Sequence, residues 1–389
     1  MTGHGVPELA SFDETMLKFM QPRNIPCGAL AVTRLGKLVL ARGYSWDRSA
    51  NFSVEPTSRF RIASITKPFT SAAILQLVER KKLALTDRLS SHLKLAPAPG
   101  QRPDPRLSQI TLSQVLQHLG GWDRDQSFDP MFYDVQIKRD LGRGLPIKQQ
   151  DIITFMNGQP LDHAPGTQYA YSNYGYMLLG RVIEAASGQR YADYVRQNIL
   201  APLHITQMVQ GRALSQFRLP DEVPYFSLYT GPTVYDNSGR TVPSAYGSFN
   251  LENMDSHGGW LASAIDLVRF ASAFDDANIG QILSGSSIKT IFAMPPTGMQ
   301  PDGSYYGCGW EVRPVNGGRN TWHNGSLPGT STLMVRRFDG LSWAVLFNQR
   351  EDKSDPNGTT YGDIDGLLHQ AADAVTTWPT HDLFGEYLK

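Results

Sequence analysis

The run from Phe69 to Val78, Phe-Thr-Ser-Ala-Ala-Ile-Leu-Gln-Leu-Val, is apolar on nearly every side. A helix of that kind has no face to offer water, so it must pass through the middle of a protein and the rest of the chain must be built around it. Glu79-Arg80-Lys81-Lys82 closes the run, with its cations where the negative end of the helix dipole falls. Pro68 fixes the start. It has no N–H for the carbonyl four residues back, which belongs to Ser64, so the helix is expected to begin at about Ser64. Lys67 then lies one turn on, on the same face. A hydroxyl at that position feels the positive end of the dipole, and a buried amine beside it loses basicity and can take the hydroxyl's proton. This Ser-x-x-Lys pattern is that of an activated serine nucleophile.

With 389 residues the chain can bury a sizeable core. Its 36 Lys+Arg against 36 Asp+Glu give no reason to expect nucleic acid or an anionic membrane surface as partner. Cys27 and Cys308 make no disulfide framework and read as small buried hydrophobes, and no Cys/His cluster has zinc spacing. No apolar run reaches membrane-spanning length. The first residues, Met-Thr-Gly-His-Gly-Val-Pro-Glu, lack the charged and apolar segments of a signal peptide, which leans the expected location towards the cytoplasm.

Periodicity predicts a helix over Glu8–Met20 and a hairpin from Gly28–Arg34 and Lys37–Tyr44 around Leu35-Gly36. After the Ser64 helix, short helical segments broken by Pro and Gly follow: Thr111–Leu119, Ile147–Met156, Tyr174–Ala186 and Tyr191–Ile199. Pro220–Asn250 reads as loops near a cleft. Ala262–Phe274 returns to helix, Thr330–Phe338 and Leu341–Asn348 form a hairpin around Asp339-Gly340, and Asp363–Thr377 closes the chain as a helix. Strands at both ends with helices between predict an α+β fold, a mostly antiparallel sheet flanked by helices. The expected domains are a sheet domain from residues 1–82 and 251–389 and an inserted helical lobe from 83–250, with the active site in the cleft between them.

Ser91…Lys94 and Ser286…Lys289 match Ser-x-x-Lys too, but neither opens a long apolar helix. Only Ser64 is followed by further elements in order: Tyr171-Ser-Asn173 after Pro165-Gly-Thr, then His323-Asn-Gly325 within Trp322-His-Asn-Gly-Ser-Leu-Pro-Gly-Thr330. Tyr235-Asp-Asn237 also fits Tyr-x-Asn, but no helix follows it. With Ile110-Thr-Leu-Ser-Gln-Val-Leu-Gln-His-Leu-Gly-Gly-Trp122, Gly258-Gly-Trp-Leu-Ala-Ser263 and Gly307-Cys-Gly-Trp310, the chain from about Asn24 to Asn348 resembles the penicillin-recognising serine hydrolases. These are the class C β-lactamases, D-alanyl-D-alanine carboxypeptidases, D-aminopeptidases and family VIII carboxylesterases. The third motif departs from the β-lactamases, with His323 where they place Lys.

The resemblance implies a β-lactamase/transpeptidase-like fold and a covalent acyl-enzyme. Ser64 is the expected nucleophile, and Lys67 and Tyr171 share the proton work, Tyr171 as a phenol held low in pKa by the lysine. Asn173 is expected to bind the substrate's acyl side, and the N–H groups of Ser64 and Ser326, beside Gly325, to hold the oxyanion. A helix cap is the plain alternative for Ser64 and for Asn173. Core packing is the alternative for Tyr171, which has Tyr169, Tyr174 and Tyr176 beside it, and a satisfied polar group at a strand end is the alternative for His323. His118 reads as structural. No metal or cofactor is implied, and the oligomeric state is not readable. Neutral near pH 7, His323 removes an obligatory cation for a substrate carboxylate, which Arg336 and Arg337 are expected to supply if one is needed. The ranking of partners is therefore a small carboxylic ester first, a D-amino-acid peptide or amide second and a β-lactam third. A non-catalytic binding or assembly module on the same fold is the reading from a different class.

Overall fold

Alternation of small and large residues along the first strand decides how the sheet is covered. The computed structural model describes residues 1–46, 52–275, 278, 280–353 and 360–387. Strand β1 (Cys27–Arg34) turns through Leu35 and Gly36, both at positive φ, into β2 (Lys37–Ser45), the backbone that a two-residue hairpin needs. The other strands of the main sheet come from the last quarter of the chain: β3 (Tyr305–Tyr306), β4 (Glu311–Val315), β5 (Gly318–Leu327), β6 (Thr330–Arg336) and β7 (Leu341–Phe347). The seven run in the order β2-β1-β7-β6-β5-β4-β3, every pair antiparallel. First and last segments close on each other as the sequence leads one to expect, with Gly28 opposite Phe347 and Arg34 opposite Leu341.

One face of this sheet carries Leu30, Val32, Leu333, Val335, Trp343, Val345 and Phe347. They pack under helices α1 (Ala10–Met20) and, at the chain's end, Ile364–Asp373. The other face carries Ala29, Ala31, Met334 and Ala344, and its alanines let the helix Ala264–Ser272 lie close. Beyond that helix runs α2 (Thr66–Glu79), entered through a single 3₁₀ turn at Ala63–Ile65. Every residue of α2 from Thr66 to Leu77 is buried, Lys67 included. The helices Leu112–Leu116, Gln149–Met156, Asn173–Ser187 and Tyr191–Val195 supply the remaining walls of the same apolar core.

The segment Pro220–Asn250 is loop with one short hairpin, Thr230–Pro232 against Thr241–Pro243, and it docks on the approach to Ser64. Arg61 is the anchor. Its guanidinium, 1% exposed, donates to the carbonyls of Ala245 (2.7 Å), Arg212 (3.0 Å) and Ala213 (3.2 Å) and stacks on Tyr225 at 4.2 Å. Tyr225 in turn donates to Glu222 and accepts from the Arg61 N–H. Lysine cannot reproduce that fork. Arg61→Lys keeps the charge but cannot serve all three buried carbonyls, and is expected to cost about 1–3 kcal/mol, the usual loss when a buried acceptor is left unpaired. Urea denaturation measures it, and a loss within the error of the extrapolation would mean the loops are held elsewhere.

Candidate active site

Backbone strain marks the approach to Ser64. Ala63, immediately before it, sits at φ 48°, a left-handed conformation that costs a non-glycine residue about 1–3 kcal/mol. Two threonines of β6 hold that turn in place: Thr330 donates to Arg61 O (2.9 Å) and Thr332 to Ile62 O (3.0 Å). Between them and the turn lies Gly325, where a Cβ would collide with the Ile62 carbonyl and the Thr332 hydroxyl. Gly309, at φ 78°, is excluded from bearing a side chain in the same way, by Ser71 and the Lys67 carbonyl of α2. Glycines thus let two backbone segments approach the nucleophile's helix directly.

Ser64 is half-buried and its hydroxyl does not cap the helix; it lies 3.1 Å from Lys67 Nζ. Lys67 Nζ also meets Asn173 Oδ1 at 2.7 Å and the His257 carbonyl at 3.1 Å. Both of these can only accept. An ammonium would donate to all three; a neutral amine gives its two N–H bonds to the two acceptors and turns its lone pair to the Ser64 hydroxyl. Burial pushes Lys67 well below the usual lysine value, Arg124 pushes the same way, and the Asp129 charge opposes them in part.

Asn173 keeps that geometry because its other end is fixed. Its Nδ2 donates to Asp129 Oδ2 at 2.6 Å, and a carboxylate leaves the amide no choice of flip. Asp129 is itself held by the Met131 N–H. Ser172, not Asn173, caps the helix Asn173–Ser187, accepting from the Gly175 N–H, so the Asn173 amide is free for Lys67.

Of the four neighbouring tyrosines, Tyr171 is the one whose hydroxyl pairs with Ser64. Tyr176 donates to the Leu116 carbonyl, Tyr174 packs edge-on against Trp122, and Tyr169 lies against Tyr306. The expectation of a phenol held low by the lysine is reversed. Burial pushes Tyr171 well above its ordinary value, and the Ser64 hydrogen bond and the Arg124 charge offset only part of that. His118, at φ 57°, stacks within 4.2 Å of Tyr171, and its Nδ1 accepts from the Ser172 N–H, which seats the Tyr-Ser-Asn turn.

His323 stands in the middle of β5 rather than at a strand end, and both its ring nitrogens are occupied. Nδ1 donates to the Asn324 carbonyl (2.6 Å) and Nε2 accepts from the Tyr306 hydroxyl (3.0 Å). Burial above all pushes its pKa down to about 3, so it is neutral at any working pH. β4 pairs with β5 only from Gly318 to Trp322. Past that point the edge of β5 has no strand beside it among the described residues. Leu327 and Thr330 close the β5–β6 hairpin, so the alternation of an antiparallel ladder turns the Ser326 N–H away from β6, towards the open edge. Its side chain, with those of Trp322 and Asn324, lies on the face opposite His323 and Gly325.

Arg336 and Arg337 are not near this site. Arg336 pairs with Thr321 in the ladder, five residue pairs or about 17 Å along the strands from Ser326, and is held by Asp275 at 2.7 Å. Arg337 is held by Asp339 and Asp373. The expectation that they supply a substrate cation is therefore wrong. The cation that does stand at the site is Arg124, whose guanidinium lies 4.4 Å from the centre of the Tyr171 ring. Neither Arg124 nor Asp129 was singled out from sequence: Asp-Arg-Asp reads as solvated charge, and Asp-Pro as an ordinary turn cap. Among the described residues no group of His, Cys, Asp and Glu could hold a metal ion, and no helix is long and apolar enough to cross a membrane.

A family model described as Beta-lactamase matches residues 12–366. Protein flp of Staphylococcus aureus (strain COL) is 31% identical over 188 residues, 48% of this chain and 35% of that protein. The putative fimbrial assembly protein FimD, serogroup D, of Dichelobacter nodosus is 32% identical over 222 residues, 56% of this chain and 48% of that one. The chain thus spans half or less of the length of these relatives. Among solved structures, the D-amino acid amidase of Ochrobactrum anthropi SV3 complexed with D-phenylalanine superposes with a TM-score of 0.72, covering 95% of this chain and 99% of that one at 19% identity.

The state of Lys67 is open to direct measurement. An NMR titration of lysine side chains, with the Lys67 signal assigned by its loss in Lys67→Arg, is expected to show it deprotonating well below the ordinary lysine value of about 10.4. Titration at that ordinary value would remove the neutral amine from the site.

Proposed function

The chain belongs to the β-lactamase family, and we propose that it acts as a serine hydrolase on small carboxylic esters through an acyl-enzyme. Ser64 Oγ attacks the ester carbonyl while Lys67 takes its proton. The oxyanion that forms sits between the N–H groups of Ser64 and Ser326, the first at the start of a helix and the second on the open edge of β5. Tyr171, which keeps its proton at rest, donates it to the leaving alkoxide as the tetrahedral intermediate collapses, and the Lys67 ammonium returns a proton to the phenolate. Water, giving its proton to the same lysine–tyrosine pair, then attacks the acyl carbon and frees Ser64. Asn173, fixed by Asp129, keeps Lys67 aimed at Ser64 and presents the polar edge along which the acyl group lies.

The observation that carries this reading is the set of three partners around Lys67 Nζ, two that only accept and one hydroxyl that can donate. The preference for esters rests on His323, whose nitrogens are both engaged and which offers no cation to a β-lactam or peptide carboxylate. A second reading, hydrolysis of D-amino-acid amides, is favoured by the whole-length likeness to a protein named as a D-amino acid amidase. A non-catalytic assembly role, the class of the FimD name, has against it a nucleophile and base in working contact.

Ser64→Ala and Lys67→Ala are each expected to remove nearly all turnover of p-nitrophenyl esters and all labelling by a fluorophosphonate, with the fold intact by circular dichroism. Either variant keeping more than about a tenth of wild-type kcat would sink the assignment. Tyr171→Phe deletes one hydroxyl and should cost roughly 10²–10⁴ in kcat, the usual worth of a placed acid–base group. Tyr169→Phe, Tyr174→Phe and Tyr176→Phe should each cost much less, and a larger loss from any of them would move the role. In the same assay, D-amino-acid amides turned over faster than every ester would reverse the order of the two readings.

A further inference from the structure

The site has lost one cation and has another in an unexpected place. His323 is neutral and tied at both nitrogens, and Arg336 and Arg337 are committed to carboxylates at the far end of the sheet. Arg124 is different. Its guanidinium lies on the Tyr171 ring at 4.4 Å, and its charge acts on Tyr171, Lys67 and His118 alike. Its one ionic neighbour among the described residues is Asp125, at 3.7 Å, beyond hydrogen-bond distance and 82% exposed, so the carboxylate stands in water. Among the described residues no hydrogen bond reaches the Arg124 side chain, which remains 39% exposed. A guanidinium over an aromatic face still has its planar fork of N–H donors to offer, and a carboxylate receives that fork with two parallel bonds.

We propose that Arg124 is a specificity residue of the esterase site: it receives a carboxylate carried on the acyl chain of the substrate. The missing third-motif lysine then means that the anionic group is read from the loop that carries Arg124 and Asp129, beside the acyl-side Asn173, instead of from β5. The preferred substrate is a half-ester of a dicarboxylic acid or an ester of similar charge. Asp129 stands five residues further along the same loop, where it holds the Asn173 amide and the Met131 N–H, and among the described residues it forms no ion pair with Arg124.

This inference rests on the hydrolase reading, and the test separates the two. Mono-p-nitrophenyl glutarate and p-nitrophenyl valerate have acyl chains of the same length, differing in a carboxylate against a methyl. The ratio of their kcat/KM values cancels any effect Arg124 has on Tyr171 itself. In Arg124→Gln the glutarate-to-valerate ratio is expected to fall about ten- to a hundredfold, the worth of a charge-assisted hydrogen-bond pair. In Arg124→Lys, which keeps charge and loses the fork, it should fall less. An unchanged ratio in Arg124→Gln, or both esters falling together, overturns the proposal while Ser64 labelling by a fluorophosphonate leaves the hydrolase reading standing. A wild-type protein that takes no label and hydrolyses neither ester overturns both.

Discussion

Everything at this site depends on an amine kept out of water. Lys67 lies on a helix that the chain buries on all sides, and burial sets the direction of its pKa before any charged neighbour acts. Charging it there would mean holding an ammonium against the desolvation cost of an apolar core. The neutral form instead finds its hydrogen-bonding needs met by Asn173, the His257 carbonyl and Ser64. Asp129 and Ser172 act one step back, the first by fixing the amide of Asn173 and the second by relieving it of capping. The same desolvation that frees a lone pair on Lys67 keeps the proton on Tyr171. In the proposed mechanism one physical cause therefore divides base from acid between two groups that share Ser64.

The fold serves this arrangement by bringing backbone close. Alanines on one face of the sheet admit the helix Ala264–Ser272, and α2 packs beyond it. Gly325 and Gly309 let β5 and the turn before β4 reach the N-terminal end of α2 and the turn that enters it without a side chain between. The strained Ala63 is then over-determined by the hydroxyls of Thr330 and Thr332, which is how a left-handed non-glycine residue persists. Because β4 stops at Glu311, opposite Trp322, the edge of β5 beside Ser64 is left with N–H groups free to meet an oxyanion.

Much of this could be read from residue order. The buried helix, both terminal hairpins and the first and last helices have strong periodicity, and their bounds fall within a few residues of expectation. The first half of β5, Gly318-Arg-Asn-Thr, is polar without alternation, and nothing in it announces a strand. Spacing brought Ser64, Lys67, Tyr171, Asn173 and His323 forward, and the structure gathers them. What spacing does not carry is sign and direction. A phenol beside a lysine reads as a low-pKa group until one knows that the ring is buried and that burial disfavours the lysine's own charge. Arg336 and Arg337 read as available cations until their partners Asp275, Asp339 and Asp373, distant in sequence, are seen. Arg124 and Asp129 were hidden for the opposite reason: local context makes them ordinary, and only the fold sets them against Tyr171 and Asn173.

The claim that bears the most weight is that a neutral Lys67 takes the proton from Ser64. It is tested most directly by the pH dependence of the acylation step alone, followed as the pre-steady-state burst of p-nitrophenol from a neutral ester. With Lys67 depressed, its protonation removes the base as pH falls, so the burst rate should be low in acid, rise with pH and level off well below the ordinary lysine value of about 10.4. A burst rate still climbing through that value, or one that does not vary with pH at all, would contradict the account.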